Sequence, residues 1–228
     1  MDLMEREQRR NNSGKGNFLI AAGILLIMAA SALVGYNIWD AKRAEEISNV
    51  IAYDLMEEIG DTMKDGLTAL PYGTPDMQMP ITIIDGYEYI GILEMPSLGL
   101  TLPVMNEWDY DRLKISPCRF TGSYYTDDLV ICAHNYAKHF SPIKWIEIGA
   151  DVYFTNVQGM TIHYIVTNRE TVEPTDVETM IENSKNSETS KMEWDMTLFT
   201  CNTGGQTRCA VRCSRVQDES VQESAENP

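Results

Sequence analysis

Two consecutive helical patterns open the chain. An apolar stretch without a charged side chain runs from Phe18 to Trp39. As a helix, these 22 residues would be roughly 33 Å long, which is enough to cross a bilayer. From Ala41 to about Leu70, apolar residues recur at the spacing of a helix that buries one face. This second helix is either a stalk or a helix laid against the domain. Pro71 follows, and we expect it to end that helix and begin a linker.

The pattern changes from Tyr87 onward to short apolar runs separated by turn residues. The runs that predict strands are Tyr89–Glu94, Leu100–Val104, Asp128–Ala133, Asp151–Thr155, Met160–Val166, Thr197–Cys201 and Arg208–Arg212. Several short strands with frequent turns predict an all-β barrel or sandwich. Residues 175–195 are polar and predict a long loop with a short helix at Asp176–Asn183.

These patterns divide the chain into five predicted segments. They are a cytoplasmic N-terminus at 1–17, a transmembrane anchor at 18–39, a helical stalk and linker at 40–84, a β-rich domain at 85–216, and an acidic tail at 217–228. The tail is polar and without periodicity, which is typical of disorder.

Charges beside the apolar stretch indicate its orientation. Four cations precede it and two follow it closely: Arg6, Arg9, Arg10 and Lys15, then Lys42 and Arg43. The positive-inside bias favours a single-pass protein with a cytoplasmic N-terminus and an extracellular domain. A cleaved signal peptide is the alternative, since Ala29–Ala32 resembles a cleavage site. The apolar run is longer than the usual signal-peptide core of about 7–15 residues, which favours an uncleaved anchor.

Net charge and cysteine spacing exclude several classes of function. The formal net charge of −16 argues against nucleic acid as a partner, because phosphate binding needs clustered cations. Five cysteines leave at least one thiol unpaired in a monomer. None lies in a Cys-x-x-Cys motif or has zinc-finger spacing, so we predict no metal and no cofactor. The spacing leaves open whether any of Cys118, Cys132, Cys209 and Cys213 form disulfides.

One cysteine has neighbours that suit covalent catalysis. Cys201 ends a predicted strand, and Arg208 begins the next. A thiolate is a nucleophile, and a nearby fixed cation favours it. His134 directly follows a short apolar strand and is a candidate general acid and base. The competing residues are His139 and His163 for the histidine and Arg212 for the arginine.

The run Thr197–Cys201 (Thr-Leu-Phe-Thr-Cys) resembles the Thr-Leu-x-Thr-Cys signature of sortases, the cell-surface cysteine transpeptidases of Gram-positive bacteria. Further segments resemble that family in the same order. They are Ile90–Leu98, Leu102–Val104, Phe120–Ser123, the run before His134, and Phe140–Phe154. The resemblance covers roughly residues 85–215. It implies a closed β-barrel of about eight strands with short helices.

The resemblance also implies a reaction and a division of roles. Cys201 would attack a Leu-Pro-x-Thr-Gly-like sorting signal, His134 would move protons, and Arg208 would bind substrate or the oxyanion. Thr200 would support the oxyanion through its backbone or hydroxyl. The partners would be secreted proteins with sorting signals and an amine from peptidoglycan or a pilin lysine. Family members often have glycine before the histidine, where this chain has Ala133.

Two other classes of function compete with this interpretation. The first is a membrane-anchored binding domain on the same fold without catalysis, since fold does not determine function. The presence of Cys201, His134 and Arg208 together argues against it. The second is an extracytoplasmic protein of thiol–disulfide exchange, which the lack of a Cys-x-x-Cys motif disfavours.

Overall fold

The computed structural model describes residues 3–64, 77–188 and 190–216, with side chains from residue 16 onward. The predicted end of the second helix at 65–70, the first six residues of the linker at 71–76 and the acidic tail at 217–228 lie outside these residues. The helices are α1 (Leu3–Lys64) and α2 (Val177–Ile181). The strands are β1 (Thr82–Ile84), β2 (Tyr87–Met95), β3 (Leu100–Met105), β4 (Cys118–Thr121), β5 (Leu129–Cys132), β6 (Asp151–Asn156), β7 (Thr161–Val172), β8 (Met196–Cys201) and β9 (Arg208–Arg215).

The chain forms two compact units, residues 1–43 and 44–228, and α1 contributes to both. In the first unit, the apolar side chains between Phe18 and Trp39 are largely exposed, because no other described part of the chain packs against them. From Gly16 onward, α1 is long and apolar enough to cross a membrane, and no other helix among the described residues is.

The strands of the second unit form a closed barrel. Neighbouring strands follow the order β1-β2-β3-β4-β5-β8-β9-β7-β6, and β6 also pairs with β2. That last pairing joins Gly91–Glu94 to Tyr153–Asn156 and closes a ring of eight strands, with β1 outside it as a hairpin on β2. The predicted barrel of about eight strands is therefore confirmed. Closure removes the unpaired sheet edges that an open sheet would expose.

Apolar side chains on the two faces of the barrel wall form two clusters. Residues of seven of the eight strands in the ring, all except β4, point inward and fill the interior, for example Met196 and Leu198 of β8. The residues between them, such as Phe199, point outward. On the outer face, Leu55 and its neighbours one turn away on α1 are buried against the wall. This half of α1 is therefore part of the packed unit.

Candidate active site

Cys201 and Arg208 lie opposite each other at the end of a strand pair. Cys201 is the last residue of β8, Arg208 is the first of β9, and their Cα atoms are register partners. Directly opposed residues of an antiparallel pair point to the same face. The turn between them contains Gly204 and Gly205, both at positive φ, a conformation that glycine adopts without strain.

His134 reaches the same place because β5 and β8 are parallel neighbours. The strand register ends with Cys132 opposite Phe199, and the N–H of Ala133 still donates to the Phe199 carbonyl at 3.2 Å. His134 lies two residues beyond Cys132, the last residue of β5, and Cys201 lies two residues beyond Phe199, so the two follow at equivalent positions. Residues two apart on a strand share a face, and both Cys132 and Phe199 belong to the outer cluster. The three predicted residues therefore emerge together at one end of the outer wall, each partly exposed.

Thr200 links the ends of β5 and β8 on the inner face of the wall, opposite to the face of Cys201. Its hydroxyl donates to the Ala133 carbonyl at 2.8 Å, and the side chain is 1% exposed. This bond links the residue before Cys201 to the residue before His134. Because the hydroxyl is used in that bond and points away from Cys201, we assign Thr200 a positioning role. Oxyanion support by Thr200 stays a prediction, and with the hydroxyl engaged it would have to come from the backbone.

The two arginines of β9 differ in their surroundings. Arg208 donates to the carbonyls of Gly205 and Thr207 at 2.9 and 3.2 Å, and it forms no ion pair with any described residue. Arg212 is 2% exposed and bonds Glu170 and Thr197 at 2.8 Å each. It also bonds two carbonyls at the end of α2 and lies over the Trp194 ring. Because Arg212 is buried and its guanidinium is already hydrogen-bonded within the barrel wall, Arg208 is the better candidate for the cation that acts on substrate.

The three histidines also differ in access. His134 is partly exposed, and its ring lies 5.0 Å from that of Tyr136. His139 is fully buried, and this burial lowers its pKa to about 4. It therefore stays neutral and out of reach of substrate near neutral pH. His163 pairs with Asp151 at 2.8 Å within the β6–β7 hairpin, away from Cys201. These positions favour His134.

Burial separates Cys201 from the other four thiols. All five cysteines are free, and Cys201 alone is partly exposed. Burial raises the pKa of Cys118 to about 12 and raises the pKa values of Cys132, Cys209 and Cys213 as well. These four thiols are therefore held in the unreactive protonated form. Disulfide exchange by a dithiol mechanism would need a second accessible thiol, which this arrangement does not provide.

Brief treatment of the folded full-length protein with iodoacetamide near pH 8 is expected to modify Cys201 and to spare the other four thiols. The reagent reacts with accessible thiolates, and the other four are buried and protonated at that pH. Peptide mapping by mass spectrometry measures the label at each cysteine. The same treatment in denaturant should label all five. Rapid labelling of Cys118 or Cys132 in the folded protein would contradict the structure.

Metal binding has no structural support among the described residues. No group of three or more His, Cys, Asp or Glu side chains is arranged there to hold an ion. The site instead offers a thiol, an imidazole and a guanidinium. Together these groups provide a nucleophile, a proton carrier and a fixed positive charge.

Two features of the site were not predicted. A row of aromatic rings leads along the outer wall to the nucleophile: Trp108 to Phe120 and Phe120 to Phe199, each 5.2 Å between centroids. On the other side of the β8–β9 turn lies a cleft, and Lys144 and Trp145 of the 3₁₀ turn Pro142–Trp145 line part of it. Neither has a local sequence signal, because their members come from distant segments.

Comparison with known proteins identifies the family. The sortase domain model matches residues 93–216, more than half of the chain, so this protein belongs to the sortase family. Its fold and matched domain are those of a sortase-type transpeptidase. A comparison with curated protein sequences found no match.

Solved structures of sortases share the fold at low sequence identity. A sortase D5 transpeptidase from Clostridium perfringens is 15% identical, with 76% of this chain and 98% of that chain covered and a TM-score of 0.51. Sortase C1 from Streptococcus agalactiae is 22% identical, with 60% of this chain and 72% of that chain covered and a TM-score of 0.50. These structures support the barrel topology alone.

Proposed function

We propose that this protein is a membrane-anchored cysteine transpeptidase that cleaves a Leu-Pro-x-Thr-Gly-like sorting signal and transfers the cleaved protein to an amine. The observation that carries the proposal is the strand register, which brings His134, Cys201 and Arg208 to one face at three neighbouring strand ends. A nucleophile, an acid/base and a cation would then lie close together near the ends of β5, β8 and β9.

The first half of the reaction forms a thioacyl enzyme. The Cys201 sulfur attacks the scissile carbonyl carbon, and the charge that develops on the carbonyl oxygen is stabilised by Arg208. The thiol proton of Cys201 passes to His134 as the sulfur attacks. The C–N bond then breaks, and His134 gives this proton to the departing amine. The outer wall beside Phe199 is apolar and aromatic, which suits an extended peptide with apolar side chains as the donor.

The second half reverses these roles. An incoming amine nitrogen attacks the thioester carbon, the new C–N bond forms, and the C–S bond breaks. His134 takes the proton that the amine loses, and Cys201 returns to its starting state. The amine would come from a peptidoglycan cross-bridge or from a pilin lysine. Thr200 contributes by holding the strand ends of Cys201 and His134 together.

The apolar part of α1 would anchor the protein in the cell membrane and place this reaction on its extracellular side. The cation bias around residues 18–39 favours a cytoplasmic N-terminus and an extracellular barrel. A tethered enzyme meets exported substrates as they emerge, at a high effective concentration.

Trapping the thioacyl intermediate tests the proposed function. The full-length protein in detergent is mixed with a peptide library based on Leu-Pro-x-Thr-Gly, with and without an added amine. We expect an acyl adduct on the proteolytic peptide that contains Cys201, and a ligated product when the amine is present. The proposal fails if the library leaves Cys201 unmodified, or if acylation occurs on another cysteine.

A further inference from the structure

A basic cleft lies on the other side of the β8–β9 turn from the aromatic row. Its volume is about 460 Å³. We call this cavity the rim cleft. The residues that line it are Lys144, Trp145, Arg169, Glu170, Thr171, Asn202, Thr203 and Cys209. Thr171 and Cys209 are register partners on β7 and β9, and Cys209 belongs to the interior cluster. The rim cleft is therefore at the mouth of the barrel, whereas Cys201 is on the outer wall.

The rim cleft carries uncompensated positive charge. Neither Lys144 nor Arg169 forms an ion pair with any described residue. The carboxylate of Glu170, which also lines the cleft, pairs with Arg212 at 2.8 Å. Two cations without an ion pair to any described residue, beside an open cavity in a chain with a formal net charge of −16, suit an anionic ligand.

The rim cleft is joined to both catalytic strand ends. Asn202, which lines it, directly follows Cys201. Lys144 donates to the Asn135 side chain at 2.5 Å, and Asn135 directly follows His134. Arg169 donates to the Ile146 carbonyl at 2.9 Å and so holds the 3₁₀ turn in place beside the cleft. A molecule bound here would reach the thioester from the side away from the aromatic row.

We propose that the rim cleft binds a carboxylate carried by the acceptor amine, so that the second substrate is an amino acid or peptide with a free carboxylate near its nucleophilic nitrogen. This inference rests on the proposed function. Lys144 and Arg169 hold the carboxylate by charge-assisted hydrogen bonds. Trp145, which is 78% exposed, offers a face for the acceptor's backbone.

The chemistry of transfer needs this kind of orientation. The acceptor nitrogen attacks the thioester carbon while its carboxylate stays in the rim cleft. The C–N bond forms, the C–S bond breaks, and the amine proton passes to His134. Held in this way, the nitrogen reacts as part of a single complex, which favours the amine over bulk water. The donor peptide occupies the outer wall and does not compete for the cleft.

Binding to a catalytically inactive protein gives the first test. The full-length Cys201→Ala protein in detergent micelles is titrated with glycylglycine and, separately, with glycylglycinamide, and backbone amide shifts are followed by NMR. We expect shifts at Thr171 and Thr203, with a Kd about tenfold lower for the free carboxylate. Equal Kd values for the two probes, or shifts confined to other parts of the protein, would overturn the inference.

Charge variants show whether the rim cleft is responsible for the preference. In the same inactive protein, Lys144→Gln with Arg169→Gln is expected to bring the two Kd values together. Lys64→Gln is the matched control, because Lys64 is an exposed cation at the end of α1, and it should keep the tenfold difference. If the double variant also keeps the difference, the carboxylate is bound elsewhere.

Kinetics on the active protein separate this inference from the proposed function. The readout is the ratio of acceptor KM values for glycylglycinamide and glycylglycine, which we expect to be about ten. If the thioacyl adduct forms on Cys201 and this ratio is one, the rim cleft inference fails and the transpeptidase stands. If binding discriminates between the two probes but no adduct forms with any donor, the transpeptidase fails and the cleft remains a carboxylate site.

Discussion

Replacement of Cys201 by alanine is expected to lower both peptide cleavage and transfer by at least about 10⁴-fold. In the proposed mechanism the Cys201 sulfur forms the covalent intermediate, and no other thiol would substitute, since the remaining four are buried with raised pKa values. The protein should fold as before, because Cys201 is partly exposed at the end of β8. Rates are measured by chromatography of a fluorescent donor peptide, with circular dichroism as the check of folding.

A buried cysteine provides the matched control for this experiment. Cys118→Ala removes a thiol from the outer cluster and should leave the rate within about threefold of wild type, at a small cost in stability. The opposite pattern, with full activity in Cys201→Ala and loss in Cys118→Ala, would favour thiol exchange over transpeptidation. Loss in both variants with intact folding would mean that catalysis needs more than one thiol, which the proposed mechanism does not allow.

Gly91→Ala is expected to lower the free energy of unfolding by about 3 kcal/mol or more. Gly91 begins the pairing of β2 with β6 that closes the barrel. Its φ is +156°, and a Cβ atom there would lie 2.2 Å from the Thr155 carbonyl oxygen and 2.9 Å from the Asn156 Cα. Since these are backbone atoms of the paired strand, β6 would have to move away. Urea unfolding followed by tryptophan fluorescence measures the change.

Gly60→Ala is the control for the loss of a glycine as such. Gly60 lies inside α1, and a Cβ atom there meets nothing within 4 Å. This variant should gain about 0.5–1 kcal/mol, because alanine has the higher helix propensity. If Gly91→Ala unfolds like wild type, the close approach of β2 and β6 at this point is wrong.

The strands next to the catalytic residues were the easiest to predict. The apolar runs predicted at Thr197–Cys201 and Arg208–Arg212 lie within the observed β8 and β9. Both strands are buried on their two faces over most of their length, so each has apolar residues at consecutive positions, and such a run indicates a strand. The short α2, at Val177–Ile181, also falls inside the predicted Asp176–Asn183.

Other elements lack such a signal. β7 extends to Val172, six residues beyond its predicted end, through polar and largely exposed residues. Pairing with β9 keeps this segment extended, and that partner is not visible in the local pattern. β4 has four residues, fewer than a periodicity needs to be recognised. Its strand conformation depends on β5, which it pairs with through Cys118 and Cys132.

The site was predicted through family resemblance rather than through local pattern. Nothing in the runs that contain His134 and Cys201 indicates that β5 and β8 are neighbours, because parallel strands are joined by long connections. The structure supplies that neighbourhood through the register and the bond between Thr200 and Ala133. The rim cleft was not predicted for the same reason, because Lys144 and Arg169 are distant in the sequence and line one cleft only in the folded barrel.

The parallel contact of β5 with β8 has a consequence for how the enzyme matures. Thr200 and Ala133 are 67 positions apart, and the residue pairs of β2 and β6 that close the ring are about 60 positions apart. Contacts of such long range form late in folding. A chain that has not finished folding would therefore have Cys201 next to Arg208, across a short turn, but without the imidazole of His134 beside it. Under the proposed mechanism, Cys201 would begin to react with donor peptides only once β5 and β8 are paired.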